Sequence, residues 1–338
     1  MRHSSQNANS LPQGLYSHQN PRSVGCLSSH PSGGFVEVDA FAKINLFLAV
    51  VGKKEDGYHE LATVMQAIDL CDHLIIKTRG AGQNLVRLKT NSPKIPTDDR
   101  NLVVKAAKLF MRETGAAKPI DVKLIKRIPM GAGLGGGSSD AAATLLGLNR
   151  LFNLHVPMED LMAMGKSLGA DVPFCLLANT TGGAALAKGI GEKLTPLQAQ
   201  PKGYLVLACP KIHVSTKDIF KRLGFDPNAQ NKGAVQTQSI LAQLDKFMAA
   251  YNSGDISQMA KHFYNTFTPV SAGLHPQIAT LIADLQHQGA LGAAMTGTGA
   301  TVFAYFNSKN SAQAACSALH KKYHDTKFVV TQHMDHPV

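Results

Sequence analysis

Residues 129–140 read PMGAGLGGGSSD, a glycine-rich run between a predicted strand and a predicted helix. Glycine allows backbone conformations that turn several N–H groups toward one point. Those donors and the positive end of the following helix together form a site for an anion. The hydroxyls of Ser138 and Ser139 add donors at the first helical turn. The run therefore predicts a phosphate-binding loop, and a nucleoside triphosphate is the ligand that suits it best.

Other interpretations of this loop fit less well. A Walker A loop needs a lysine after its last glycine, where this chain has Ser138. Residues 131–136 satisfy the G-x-G-x-x-G pattern of dinucleotide-binding folds, but the acidic residues that follow, Glu159 and Asp160, begin a predicted helix instead of ending a strand. The H-R-D and D-F-G motifs of protein kinases are missing from the sequence. A connecting turn without a ligand is the remaining alternative, although such turns seldom carry so many glycines with two serines.

Composition narrows the possible partners. The 338 residues are 44% hydrophobic and 17% charged, which suits two modest domains with real cores. A net charge of +11 is compatible with nucleic acid, an anionic membrane or phosphorylated small molecules. The basic residues are scattered, without an arginine-rich segment, which disfavours nucleic acid. No apolar run approaches the roughly 20 residues that cross a bilayer, so we expect no membrane partner.

Cysteine usage and the first residues indicate the compartment and the start of the fold. The five cysteines are widely spaced and never form a C-x-x-C pair, which is typical of a reducing cytoplasm. Residues 1–34 contain no acidic residue and are rich in Ser, Asn, Gln and His. We interpret them as a disordered leader or tag outside the fold, with a transit peptide as the alternative.

The rest of the chain mixes strands and helices, and the long antiparallel-looking segments favour an α+β fold over a doubly wound parallel sheet. Residues 61–70 fit either a strand or a helix. We expect strands at 35–38, 42–50, 74–76, 85–88, 120–128, 174–177, 203–209, 301–306 and 327–331. We expect helices at 101–113, 138–152, 158–167, 236–250, 255–264, 275–287 and 309–323, with a short helix that starts near residue 215.

Single residues outside the loop carry little information when each is taken alone. Lys43 lies in an apolar strand, where it points to solvent or is partly buried against a carboxylate. Asp171 follows Gly169 at the end of a predicted helix, and most such residues are caps. The glycines at 297 and 299 precede a strand and suit a hairpin or a close backbone approach to a ligand.

Together, these segments resemble the GHMP kinase superfamily. The loop at 129–140 is similar to its phosphate loop, and GTGA at 297–300 is similar to its C-terminal glycine motif. The order and spacing of AKINL at 42–46, DGYHEL at 56–61 and GADVP at 169–173 resemble the 4-diphosphocytidyl-2-C-methyl-D-erythritol kinases of the non-mevalonate isoprenoid pathway. The resemblance runs from about residue 37 to residue 331.

This resemblance implies a two-lobed α+β fold with the active site in the cleft between the lobes. The N-terminal, ATP-binding domain would span 35–195 and the C-terminal domain 196–338. ATP would be the co-substrate, together with Mg²⁺, and the acceptor would be a sugar alcohol linked to cytidine diphosphate. The reaction would transfer the γ-phosphate to the 2-hydroxyl of that acceptor.

The resemblance also implies roles for individual residues. Asp171 would be the general base for the acceptor hydroxyl, and Lys43 would lie beside it, keep it ionised and orient it. The residues that would hold ATP are Pro129, Met130, Gly131, Ala132, Gly133, Leu134, Gly135, Gly136, Gly137, Ser138 and Ser139. The residues that would bind the acceptor are Asn45 at the sugar alcohol, Tyr58 and Phe220 stacked on the cytosine, His59 at its edge, and Thr216.

Two rival functions remain. Homoserine or mevalonate kinases would share the fold, but small acids do not require base-stacking aromatics such as Tyr58 and Phe220. A nucleic-acid-binding module would suit the basic charge but leaves the glycine loop and Asp171 unexplained. Residues 264–268 lack the acidic residues that the family often carries there, so no metal ligand is assigned. The oligomeric state is left open.

Overall fold

The computed structural model describes residues 34–53, 59–80, 84–181, 183–198, 203–223 and 232–334. The leader expected at 1–34 lies outside these ranges except for Gly34, and Tyr58 also lies outside them. Among the described residues, no helix is both long and apolar enough to cross a bilayer.

Strands and helices alternate irregularly along the described chain. The strands are β1 Phe35–Lys53, β2 His59–Thr78, β3 Val86–Thr90, β4 Ile120–Ile125, β5 Ala184–Gly189, β6 Lys193–Pro196, β7 Tyr204–Pro210, β8 Tyr264–Asn265, β9 Gly292–Met295, β10 Val302–Phe306 and β11 Thr326–Gln332. The helices are α1 Leu102–Thr114, α2 Gly136–Phe152, α3 Met158–Leu168, α4 Val172–Thr181, α5 Thr216–Arg222, α6 Lys232–Asn252, α7 Ile256–Ala260, α8 Thr268–Leu274, α9 Gln277–His287 and α10 Lys309–Lys322.

Two sheets organise the two lobes of this α+β fold, as the sequence predicts. Within the described residues, the first sheet has seven strands in the order β3-β4-β2-β1-β8, with β5 beside β2 and β6 beyond β5. The second sheet has the order β11-β7-β10-β9 and is antiparallel throughout. The domain boundary predicted between residues 195 and 196 stays a prediction. It falls inside strand β6, and β8, from the C-terminal part of the chain, joins the first sheet.

Three hydrophobic clusters hold these layers together. One lies between the first sheet and helices α1 to α4, and another lies between the second sheet and helices α9 and α10. The third joins the two sheets through side chains such as Ile44 and Phe47 from β1 with Leu207 and Phe303 from the second sheet. Apolar burial therefore fixes β1 between the lobes.

Strand β1 is one long element, although the sequence suggested two strands, at 35–38 and 42–50. Its antiparallel register with β2 shifts between Phe41 and Lys43 and again between Asn45 and Phe47. Such bulges bend a strand and redirect its side chains. Two of them bracket Lys43 and Asn45, which is how an otherwise apolar strand presents two polar side chains to a site.

The sequence prediction fails where buried segments are short. The strand expected at 174–177 is wrong: these residues belong to α4, because a short apolar run has the same appearance in a buried helix and a buried strand. The ambiguous residues 61–70 belong to β2. The helix expected at 255–264 ends at Ala260, and the next residues lead into β8.

Candidate active site

The glycine loop lies where the sequence places it, between β4 and α2. Gly131, Gly133 and Gly135 all have positive φ angles, between 62° and 75°. Gly135 is the N-cap of α2, and no side chain caps the N–H groups of that helix terminus. Uncapped N–H groups at the positive end of a helix are suited to an anion. The loop therefore has the geometry of a phosphate site.

A cavity of about 380 Å³ opens over this loop. Besides residues 129–138 of the loop, it is lined by Ile95, Pro96, Arg100, Asn101, Leu102, Lys126 and Asp140. A lining that combines apolar side chains with a few polar donors is typical of a ligand site. Ser138 lines this cavity with its hydroxyl group available in the first turn of α2.

The hydroxyl of Ser139, a residue predicted to bind ATP, makes a contact inside the fold. The residue is fully buried, and its Oγ donates a hydrogen bond of 2.7 Å to the Phe41 carbonyl. Its backbone N–H donates to the Gly135 carbonyl. Both donors thus tie α2 to β1 and to the loop, and the phosphate contact of Ser139 stays a prediction.

Two glycines of the loop are required by close approach as well as by their φ angles. A Cβ atom on Gly133 would lie 2.6 Å from the Thr296 carbonyl oxygen, and one on Gly135 would lie 2.9 Å from Cγ of Lys43. The Lys43 N–H also donates to the Leu134 carbonyl at 3.0 Å. The loop is thus packed between the lysine of β1 and the C-terminal glycine motif.

Lys43 and Asp171, far apart in sequence, form an ion pair. Lys43 Nζ lies 3.3 Å from Asp171 Oδ2, and the side chains are 5% and 36% exposed respectively. Lys43 Nζ also donates to Asn45 Oδ1 at 2.9 Å. Asp171 directly precedes α4, and the positive end of a helix favours its negative charge. The pair combines a buried, oriented ammonium with a carboxylate that a substrate can reach.

A second cavity, of about 200 Å³, contains this pair. Its lining includes five of the residues predicted to bind or act on the acceptor: Lys43, Asn45, Asp171, Thr216 and Phe220. Gly133 and Gly135 line both cavities. A phosphate held by the loop would therefore lie between a nucleotide on one side and an acceptor on the other.

Aromatic rings lie at the edge of the acceptor cavity. The His59 and Phe220 ring centroids are 4.8 Å apart, and Phe220 contacts Phe267 edge to face at 4.7 Å. Partial burial, and secondarily the charge of Lys53, lower the pKa of His59 and favour its neutral ring. Nearby, the Thr216 and Thr298 hydroxyls are hydrogen-bonded at 3.0 Å.

A buried charge cluster under the loop was missed by sequence reasoning. Lys126 Nζ donates to Asp72 and, at 2.7 Å, to Asp140. Asp72 is fully buried and also accepts the N–H groups of Arg127 and Ile128. Burial, opposed by Lys126, raises the pKa of Asp140 to about 8. The cluster ties β2, the start of the loop and α2 together, and no local spacing reveals it.

Metal-binding groups are sparse. Across the described ranges, no cluster of three or more His, Cys, Asp or Glu side chains could hold an ion. Among the side-chain oxygens that line the two cavities are the Ser138 hydroxyl and the Asp140 carboxylate over the loop and the Asp171 carboxylate in the acceptor cavity.

Comparisons with known proteins agree with this architecture. Residues 101–179 match the family described as GHMP kinases N terminal domain, and residues 246–325 match GHMP kinases C terminal. The 4-diphosphocytidyl-2-C-methyl-D-erythritol kinase of Lachnoclostridium phytofermentans is 41% identical over 280 residues, 83% of this chain and 91% of the relative. The enzyme of the same name from Clostridium botulinum is 39% identical over 290 residues, 86% of this chain and 98% of the relative.

Solved structures share the fold. A crystal structure of 4-(cytidine 5'-diphospho)-2C-methyl-D-erythritol kinase matches with a TM-score of 0.70 and 31% identity, over 88% of this chain and 98% of that one. A homoserine kinase from Cytophaga hutchinsonii matches with a TM-score of 0.73 but 18% identity, over 92% of this chain and 98% of that one. The second likeness concerns the fold alone, so backbone similarity does not choose the substrate.

The close approach at Gly133 generates a prediction. Gly133→Ala would force the loop away from the Thr296 carbonyl, and we expect nucleotide affinity to fall about tenfold or more, equivalent to about 1.4 kcal/mol. Calorimetric titration with ATP measures this. Gly115→Ala is the matched control: Gly115 also has a positive φ, 72°, but a Cβ there meets nothing within 4 Å. The control should lose stability and keep its ATP affinity. Equal affinity in both variants would contradict the role of the close approach.

Proposed function

We propose how this chain, which belongs to the 4-diphosphocytidyl-2-C-methyl-D-erythritol kinase family of GHMP kinases, performs its reaction. The chain is a small-molecule kinase. It transfers the γ-phosphate of ATP to the 2-hydroxyl of 4-diphosphocytidyl-2-C-methyl-D-erythritol, giving the 2-phosphate and ADP. The observation that carries the mechanism is the Lys43–Asp171 pair at the junction of the two cavities.

Asp171 is the general base in this mechanism. Its carboxylate accepts the proton of the 2-hydroxyl while that oxygen bonds to the γ-phosphorus. The bond from the γ-phosphorus to the bridging oxygen breaks, and ADP leaves with the electron pair. Lys43 pairs with the carboxylate at 3.3 Å and directs it at the hydroxyl, and the burial of Lys43 strengthens the attraction between the two charges.

The glycine loop supplies positioning and charge stabilisation, which phosphoryl transfer needs more than covalent chemistry. The uncapped N–H groups of α2 and the Ser138 hydroxyl hold the phosphates. Met130 and the other residues of 129–138 form the floor of the nucleotide cavity.

Mg²⁺ fits this site as a companion of ATP. Ser138 and Asp171 offer hard oxygen donors, and Mg²⁺ is usually held by one or two protein oxygens together with phosphate oxygens and water. When bound, the ion neutralises charge on the phosphates.

The aromatic edge of the acceptor cavity binds the cytosine. Phe220 is held edge to face by Phe267 and lies against His59, so its ring is fixed before a base stacks on it. A neutral His59 ring has one nitrogen that donates and one that accepts, which suits the edge of a base. Tyr58, the partner predicted from the sequence, would complete the stack.

Asn45 and Thr216 line the part of the cavity that would take the sugar alcohol. The Asn45 carboxamide oxygen already accepts from Lys43, and its nitrogen already donates to Thr63. One Nδ2 hydrogen is therefore left for a substrate hydroxyl. The arrangement favours a role for Asn45 in orienting Lys43 as well as in binding substrate.

The substrate assignment is tested by ADP release with Mg-ATP and the purified chain. We expect turnover with 4-diphosphocytidyl-2-C-methyl-D-erythritol and none with homoserine or mevalonate, because those acids offer nothing to the aromatic edge. Turnover of either acid at a similar rate would contradict the assignment of the cytosine site.

The base assignment is tested by Asp171→Asn. An amide cannot accept the proton, and we expect kcat to fall by about 10²- to 10⁴-fold, the usual contribution of general base catalysis. ATP affinity should stay unchanged, and the variant should still fold, with a lower urea midpoint because the buried Lys43 ammonium loses its charged partner. Asp160→Asn, at an exposed position in the first turn of α3, is the matched control and should retain kcat. Near-normal turnover of Asp171→Asn would show that another group takes the proton.

The stacking role is tested by Phe220→Leu. Stacking of a base on an aromatic ring contributes about 1–3 kcal/mol, so KM for the cytidyl substrate should rise by about 5- to 150-fold. The kcat value and the KM for ATP should change little. Phe328→Leu, in β11 and remote from both cavities, should leave every constant unchanged. An unaltered substrate KM in the Phe220 variant would remove Phe220 from the site.

A further inference from the structure

Thr296 is a fully buried residue between β9 and the C-terminal glycine motif. Its hydroxyl forms two hydrogen bonds with Asn45, in strand β1 of the first sheet. Thr296 Oγ1 accepts the Asn45 backbone N–H at 3.0 Å and donates to Asn45 Oδ1 at 3.2 Å. The two residues are 251 positions apart. A single hydroxyl thus fixes both the backbone and the side chain of Asn45.

The Asn45 carboxamide passes this constraint to Lys43. Its nitrogen donates to Thr63 Oγ1 at 2.9 Å, which fixes the orientation of the amide. Its oxygen then accepts from Lys43 Nζ at 2.9 Å and from the Gly297 N–H at 3.0 Å. Asn45 therefore gives the Lys43 ammonium a second fixed partner besides Asp171.

Thr296 itself is held from both sides. Its N–H donates to the Thr301 carbonyl, and its carbonyl accepts from the Gly299 N–H. The Asn265 carboxamide nitrogen donates to the carbonyls on either side of Thr296, those of Met295 at 2.7 Å and of Gly297 at 2.8 Å. A residue fixed in this way can hold Asn45, and through it the long side chain of Lys43, in one position.

Thr296 also touches the phosphate loop. Its carbonyl oxygen is the atom that a Cβ on Gly133 would strike, and its hydroxyl lies 3.5 Å from the Gly133 carbonyl. Thr296 therefore contacts the loop that would hold the γ-phosphate and, through Asn45, also fixes the lysine that pairs with the base.

We propose that Thr296 is a positioning residue for the phosphoryl transfer. Its hydroxyl holds Asn45, and Asn45 aims the Lys43 ammonium at Asp171. In this way the C-terminal glycine motif sets the catalytic geometry of the other lobe. This inference rests on the proposed function, in which Lys43 serves Asp171.

The experiment removes the hydroxyl and preserves the shape. Thr296→Val leaves the Asn45 N–H without its acceptor and lets the carboxamide and Lys43 reorient. Misplacement of a catalytic group by about 1 Å costs on the order of 10²-fold, so we expect kcat to fall by about 10- to 100-fold. The KM for ATP should be retained, because Asn45 does not line the nucleotide cavity, and the KM for the acceptor should change less than kcat, because Asn45 lines the acceptor cavity.

Two further variants separate positioning from packing. Thr296→Ser keeps the hydroxyl and loses the methyl group, and it should recover most of the kcat. Thr331→Val removes the hydroxyl of a buried threonine in β11 that lines neither cavity, and it should leave kcat unchanged. If Thr296→Ser is as impaired as Thr296→Val, the hydroxyl is not responsible and the proposal fails.

A double-mutant cycle with Lys43→Met decides whether Thr296 acts through the lysine. In the Lys43→Met background, Thr296→Val should cost little more. An equal loss in both backgrounds would overturn the positioning role while leaving the proposed function intact. A Lys43→Met variant with normal kcat would instead overturn the proposed function, and the inference with it. Should Thr296→Val not fold, Thr296→Cys, with its weak thiol donor, takes its place in the cycle.

Discussion

The ion pair between Lys43 and Asp171 is the interaction on which the site depends. A charged ammonium that is 5% exposed is costly unless it is paired and hydrogen-bonded. Here the charged partner is Asp171, directly before α4, and the hydrogen-bond acceptor is Asn45, two positions along β1. The bulges of β1 make this possible, because they turn polar side chains out of an apolar strand and into a cleft.

The remainder of the site is built around that pair by close packing. Gly135 leaves room for the lysine stem, and Gly133 leaves room for the backbone at Thr296. Burial of apolar side chains between the two sheets keeps β1 in contact with both lobes. The nucleotide and acceptor cavities therefore meet at the same two glycines, so a phosphate bound at the loop would lie next to the acceptor cavity.

Local chemistry explains what the sequence could predict. The glycine loop and the helix after it follow from backbone freedom and helix polarity, and both are found where expected. The α+β class follows from the mixture of patterns.

The approach of Lys43 to Asp171 came only from resemblance, because strand β1 and helix α4 lie far apart in sequence. Ser139 was assigned to the phosphates because a hydroxyl next to the glycine loop can donate a hydrogen bond. In the structure this hydroxyl donates to the Phe41 carbonyl. Thr296 and the Asp72–Lys126–Asp140 cluster have no local signature, since their partners are distant in the chain.

The most direct test of the account is the single-turnover rate of phosphoryl transfer with saturating Mg-ATP in Lys43→Met, Asp171→Asn and the double variant. Residues that act as one unit are strongly non-additive. If the lysine works only by serving the carboxylate, the double variant will be no slower than the slower single variant. Losses that multiply in the double variant would mean that the two groups act independently, and the pair would no longer explain catalysis.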